Sequence, residues 1–265
     1  MHNQEEPNLF ERVARLLHQQ KEMYGNFEIP KSFADLKSES ESLKQQKTSI
    51  ESPQSVHQPN EKYVLEQPVL SEADKIAACT TLEELRLLCE TAEPLKTDLA
   101  DTNLVFGVGN ADADLMIVGE APGENEDKQG EPFVGEAGKL LDKIMEAINF
   151  KRSDIYIANI LKHRPPNNRD PKPEECQQSL PYLLRQIELV NPKLILCVGR
   201  VSATTLLNRV ESLAKLRQKF HEFHGRELMA TYHPAALLRN AKWKRPTWED
   251  VQLLRKRYDE LGGKP

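Results

Sequence analysis

The chain has 265 residues, with 36 Lys and Arg against 41 Asp and Glu and a net charge of −5, which is room for one domain of ordinary size and a tail. That near balance excludes a protein coated in positive charge, so any nucleic acid must be met by a local basic patch. No run of about eighteen apolar residues offers a membrane span, the acidic opening "MHNQEEPNLF" lacks the apolar stretch of a secretory signal, and none of Cys79, Cys89, Cys176 and Cys197 stands in a C-x-x-C pair that would suit zinc.

Residues 7–24, "PNLFERVARLLHQQKEMY", place Leu9, Val13, Leu16 and Leu17 at helical spacing. They predict a short amphipathic helix within an N-terminal segment 1–30, either packed on the domain or docking a replication or repair protein. Residues 31–70 are rich in Ser, Gln, Lys and Glu and poor in large apolar side chains. Such a stretch buries too little surface to offset its ordering entropy and is read as a disordered linker. One domain is expected over 71–265. It opens on "SEAD" and "TLEE" (Thr81 with Glu84), two capping boxes. Four strand-like runs follow: "LMIVGEA" (115–121), "DIYIANI" (154–160), "LILCVG" (194–199) and "LMATYHP" (228–234). Between them, "GEAGKLLDKIMEAI" aligns Leu140, Leu141, Ile144 and Ile148 on one helix face, and "PEECQQSLPYLLRQIELV" begins with proline at a helix entrance. Cys197 reads as a small buried hydrophobe, and the protein as reduced and cytoplasmic.

Short apolar strands alternating with helices predict a parallel sheet covered on both faces. Ligands of such folds bind beyond the carboxyl ends of the strands. The polar stretches "GEAPGENED", "NILKHRPPNNR" and "YHPAALLRN" follow the first, second and fourth strands, so they should converge at one edge. The first is Gly-rich but matches neither G-x-x-x-x-G-K-[ST] nor G-x-G-x-x-G, and Pro122 removes a backbone donor, so no phosphate loop is expected. Its carboxylates Glu120, Glu124, Glu126 and Asp127 suit a cation, a metal or an activated water, with Glu124 reading best as part of a solvated acidic loop.

The stretches "GEAPGENEDKQGEPFVGEAGKLL", "NILKHRPPNNRDPKPEE" and "YHPAALLRN", in this order and spacing, resemble the family 4 uracil-DNA glycosylases from about Ser71 to the C-terminus. The resemblance implies a three-layer α/β/α sandwich around a four-stranded parallel sheet, uracil-containing DNA as partner, a monomer, and a cytoplasmic place on the nucleoid. It implies that Phe133 stacks on a flipped base and that Asn159 reads uracil by pairing its amide with O4 and N3–H. It implies that His233 donates to uracil O2 where negative charge develops. By the same resemblance Glu120, Glu126 and Asn168 share the orientation of water, with Glu120 and Asn168 the leading pair. Leu237 or Leu238 fills the space the base vacates, Arg239 and Asn240 hold phosphates, and Lys242, Lys244 and Arg245 extend a local basic patch.

The sequence leaves that family at one feature. Most members hold a [4Fe–4S] cluster on four cysteines, and the corresponding positions here are Glu90, Glu93, His163 and Ser179, with Cys89 and Cys176 close by but out of register. An Fe–S cluster needs thiolates, so none is expected. A network of hydrogen bonds and an ion pair is the expected replacement, in preference to a metal on Glu90, Glu93 and His163. Packing of Leu85, Leu87, Leu88 and Leu95 should tie the N-terminal part of the domain to the sheet. Two other functions stay open from sequence: a glycosylase for hypoxanthine or xanthine, and an inactive DNA-binding homologue.

Overall fold

The apolar runs become neighbouring strands in the computed structural model, which describes residues 70–263. The helix expected over 7–24, and the linker expected over 31–70 apart from its last residue, lie outside the described residues. The strands are β1 (Val108–Gly109), β2 (Leu115–Gly119), β3 (Tyr156–Asn159), β4 (Leu194–Val198), β5 (His221–Phe223) and β6 (Arg226–Thr231), in the order β1-β3-β2-β4-β6-β5. The four expected strands form the parallel centre, with Gly119 opposite Asn159, Met116 opposite Ile195 and Leu196 opposite Met229. Two antiparallel edge strands were not expected. β1 has two residues and β5 has three, too few for a period-two pattern to show. β5 and β6 are joined at His224 and Gly225, with φ of 49° and 74°, the two positive values a tight hairpin requires.

The helices are α1 (Glu72–Ala78), α2 (Leu82–Thr91), α3 (Glu124–Gln129), α4 (Glu136–Glu146), α5 (Pro173–Val190), α6 (Arg200–Leu207), α7 (Leu213–Leu216), α8 (Pro234–Arg239) and α9 (Lys244–Glu260). Successive strand residues point to opposite faces, and both faces are covered. Met116, Val118, Ala158, Ile195, Cys197, Leu228 and Ala230 pack against α5, α6 and α7. Leu115, Ile117, Ile157, Leu194, Leu196 and Met229 pack against α4 and α9. The result is the expected three-layer sandwich. On α4 the buried stripe runs through Gly138, Leu141 and Met145, rotated from the predicted one, so Leu140 is only partly covered.

Both predicted capping boxes form: Ser71 accepts from the Asp74 amide and Thr81 from the Glu84 amide, with the acid of each box reaching back. The helices they open lie on α5 through a separate cluster of Ile76, Leu85, Cys89, Leu95, Phe106 and Tyr182. Leu88 contributes partly, but Leu87 is exposed and does not belong to the tie. From β2 the chain crosses to β3 on one side and then to β4 on the other. This reversal makes the carboxyl end of β2 a topological switch point, and the loops after β2, β3 and β6 all emerge there.

Candidate active site

Beyond β2 lies a cleft of about 380 Å³ lined by Glu120, Gly123, Glu126, Phe133, Asn159, Asn168, Asp170, His233, Ala235 and Arg239 among others. The three polar loops therefore meet as the sequence implied. Asn159 ends β3 and is 2 % exposed, and its Oδ1 has no hydrogen-bond partner among the described residues. A buried acceptor left unmade is costly, so its retention calls for an external donor. Phe133 lies beside it. A Cβ on Gly119 would stand 2.3 Å from Asn159 Oδ1 and 2.7 Å from the Phe133 ring, so only glycine lets the two side chains share this floor.

Phe133 itself has a φ of 54°, a left-handed conformation that a bulky residue adopts only when its surroundings hold it. Arg152 holds it from behind, donating to the Phe133 carbonyl at 3.2 Å, to the Pro132 carbonyl, and to Asp142 at 3.0 Å. Gly138 makes room, since a Cβ there would lie 1.9 Å from the Phe133 carbonyl oxygen. From the other side Glu126 accepts from the amides of Val134 at 3.0 Å, Gly135 at 2.8 Å and Gly123 at 3.2 Å. Both Glu126 oxygens are thus engaged with backbone, which makes it a clamp on the Phe133 loop and sets it apart from the water-orienting role expected of it beside Glu120 and Asn168.

Glu120 has the environment expected of a proton acceptor. Burial, then the nearby Asp170 carboxylate, push its pKa up to about 7, against the opposing pull of Arg200 and Arg239. Asn168 is exposed, follows Asn167 in a second left-handed position (φ of 52° and 54°), and its Oδ1 accepts from Arg164 Nε at 2.7 Å. That bond engages the amide oxygen and leaves Asn168 among the residues that line the cleft.

His233 caps α8: its Nδ1 accepts from the Ala235 amide at 3.2 Å, which places the ring proton on Nε2. Burial and then Arg239 pull its pKa down to about 4, so near neutrality the ring is an uncharged donor. Its centroid lies 5.5 Å from that of Phe133. The corner that carries it is braced from below. Asp250 of α9 bonds Arg217 at 2.7 and 2.9 Å and Thr231 at 2.6 Å, and Tyr232 stacks on Trp243 at 5.1 Å.

The loop beyond His233 distinguishes the two leucines that the sequence left open. Leu237 is 2 % exposed whereas Leu238 is 53 % exposed, so only Leu238 presents its side chain to solvent. Asn240 uses its Oδ1 to accept from the Lys242 amide at 3.1 Å, capping the turn Ala241–Trp243. Arg239, Lys242, Lys244 and Arg245 are exposed around it.

The four positions aligned with cluster cysteines do not fit an iron–sulfur group. Glu90 pairs with Arg86 at 3.2 Å and Glu93 with Lys96 at 2.7 Å, both on the surface. His163 Nδ1 shares a hydrogen bond with the Thr102 hydroxyl at 3.0 Å, and Ser179 donates to the Ile160 carbonyl at 2.7 Å. Among the described residues no group of three or more His, Cys, Asp or Glu is disposed to hold a metal ion. Gly119, Arg152 and Asp170 were missed from sequence. Gly119 had a signal, a glycine closing an apolar strand. Arg152 and Asp170 had none, because their partners are set by loop geometry.

A cleft of this size at the switch point of a parallel sheet, floored by an aromatic ring and an unpartnered amide oxygen, is the class of site that receives a flat heterocycle. The chain belongs to the uracil DNA glycosylase superfamily, whose family model matches residues 106–253. It is 43 % identical over 171 residues to the type-4 uracil-DNA glycosylase of Archaeoglobus fulgidus, covering 62 % of this chain and 84 % of that protein. The type-4 enzymes of Saccharolobus solfataricus and Thermotoga maritima are 44 % and 42 % identical over 172 and 166 residues, with 62 % and 61 % of this chain covered and 78 % and 85 % of theirs.

Proposed function

We infer that the protein is a monofunctional uracil-DNA glycosylase. It flips uracil out of DNA and hydrolyses the bond between deoxyribose C1′ and uracil N1, leaving an abasic site for base-excision repair. The observation that carries this reading is the buried, unpartnered Asn159 Oδ1 beside the Phe133 ring. In this reading Oδ1 accepts from uracil N3–H and the amide nitrogen donates to O4, a pairing that cytosine reverses. Phe133 stacks on the extruded base. As the C1′–N1 bond breaks, the electron pair leaves with uracil, and the His233 Nε2–H donates to O2, where the charge collects. The sugar becomes cationic, the Glu120 carboxylate faces it and takes a proton from the attacking water, and the Asn168 amide orients that water. Glu126 keeps the Phe133 loop in place. Leu238 fills the gap left in the duplex, and Arg239 with the basic residues around it meets phosphates.

In this reading the protein acts as a monomer. The carboxylates, imidazole and hydroxyl at the cluster-equivalent positions support a domain without a [4Fe–4S] cluster. The first 30 residues are the proposed docking segment for a replication or repair protein.

The test is excision from single- and double-stranded oligonucleotides carrying uracil, hypoxanthine or xanthine, read by alkaline cleavage of abasic sites. Cleavage at uracil is expected. Cleavage only at a purine would move the substrate, and no cleavage at all would reduce the protein to a DNA-binding homologue.

A further inference from the structure

Lys162 has no part in the chemistry above, yet it is fully buried. Its ammonium donates to three oxygens, none of them a carboxylate: the Phe106 carbonyl at 3.2 Å, the Asn159 carbonyl at 3.0 Å, and Oε1 of Gln186. Gln186, fully buried on α5, donates through Nε2 to the Phe106 carbonyl at 3.0 Å and to the Tyr156 hydroxyl at 3.3 Å. Burial draws the lysine pKa down to about 7, the mark of a charge kept at a cost.

The location explains the cost. β1 pairs with β3 only at Val108 with Ile157 and Gly109 with Tyr156. Continued by two residues, that ladder would set Phe106 opposite Asn159. It stops instead at Gly107, whose φ is 153° and whose Cβ would lie 2.8 Å from the Tyr156 hydroxyl. The Lys162 ammonium sits between the two carbonyls where ladder bonds would have been. Together with the Val105 amide, which donates to the Lys162 carbonyl at 2.8 Å, it closes this edge of the sheet at Asn159, whose side-chain oxygen is unpartnered among the described residues.

We propose that Lys162, seated on Gln186, is a positioning residue that fixes Asn159 through its own carbonyl and so sets how sharply the site separates uracil from cytosine. This rests on the reading of Asn159 as the base reader. On the β2 side the following backbone is held, since the Ile160 and Leu161 amides donate to the Gly119 and Glu120 carbonyls at 3.1 and 3.0 Å. Lys162 supplies the hold that the Asn159 carbonyl lacks on the β1 side, and misplacement by a fraction of an ångström is enough to lose a two-point pairing.

The experiment compares the full chain with Lys162→Met, Gln186→Met and Gln186→Glu. Single-turnover excision of uracil, excision of cytosine and affinity for a duplex carrying a ready-made abasic site are measured, with thermal melts as a check on folding. Abasic DNA reports the grip on the backbone without the base. Both methionine variants are expected to lose at least tenfold in uracil excision and in the uracil-to-cytosine ratio, while abasic-site affinity stays within about twofold. Gln186→Glu keeps an oxygen for the ammonium but loses the Nε2 donor to the Phe106 carbonyl, and is expected to lie between wild type and Gln186→Met in rate. Folded methionine variants with unchanged rates would overturn the proposal, as would rates and abasic-site affinity falling together. If Lys162→Met does not fold, the Gln186 pair decides alone. An inactive wild-type chain would instead overturn the reading of the site.

Discussion

Asn159 and Glu120 illustrate how far single residues carry the reaction. Replacing Asn159 by Asp puts a carboxyl where the amide donor stood. A protonated carboxyl matches cytosine's N3 and N4 edge, and an ionised one repels uracil O4. Uracil excision by Asn159→Asp is expected to fall by at least a hundredfold, with weak cytosine excision appearing. Unchanged values for both bases would remove Asn159 from base reading. Glu120 makes a prediction in pH. Its pKa, pushed up to about 7 chiefly by burial, means that the carboxylate form is lost as pH falls through neutrality. kcat/KM should therefore drop about tenfold per unit below pH 7 and level off above it. His233, pulled down to about 4, stays neutral across this range and adds no second limb. Asp170→Asn removes a negative neighbour and should move the limb to lower pH, and Glu120→Gln should abolish it. Asn159, Phe133 and His233 were legible in the sequence because each stands in a long motif at a strand end. Gly119 and Lys162 were not read, because what makes them matter is a neighbour across the sheet.

At the level of elements, α8 separates two adjacent leucines that sequence could not tell apart. The helix has six residues, too short for periodicity to set its buried side. Packing turns Leu237 inward and leaves Leu238 outward. Leu238→Ala is expected to leave the melting temperature unchanged and to slow excision from duplex DNA by about tenfold. Single-stranded substrate should be far less affected, since no stacked partner must be displaced there. Leu237→Ala should instead destabilise by about 2–4 kcal/mol, the usual cost of emptying a buried leucine site. Equal losses on single and double strands for Leu238→Ala would argue against its role as a wedge. The central strands were legible for the opposite reason to α8: each is a continuous apolar run, and continuity is the signature of a strand buried on both faces. The edge strands β1 and β5 were not, because each forms only through a partner distant from any recognisable pattern.

At the scale of the whole molecule, the N-terminal helices are tied to the sheet through the segment that follows α2. The segment after α2 is fastened by polar bonds. Thr97 donates to the Arg164 carbonyl at 2.6 Å, Thr102 meets His163 at 3.0 Å, and Asn103 donates to Asp127 at 2.8 Å. Asp98 pairs with Arg169 at 3.2 Å and also with Lys172, while Arg169 grips Glu175 from two nitrogens. Beneath these lies the apolar contact of Leu85, Cys89 and Leu95 with Tyr182. If the domain lacks a cluster, as we propose, these bonds and contacts fasten it without iron. Purified protein is expected to carry far less than one iron per chain, to lack broad visible absorption, and to melt at the same temperature with or without a strong chelator. Arg169 then becomes the sensitive joint. The hydrogen bonds of Arg169 hold the Glu175 pKa below the usual carboxylate range. The stabilisation is thus present above the unfolded carboxylate pKa and is lost as pH falls through the depressed folded value. Arg169→Ala should lower the melting temperature by several degrees at pH 7, and the gap to wild type should narrow toward pH 3. A chelator-sensitive melt, or a gap that widens in acid, would place the joint elsewhere.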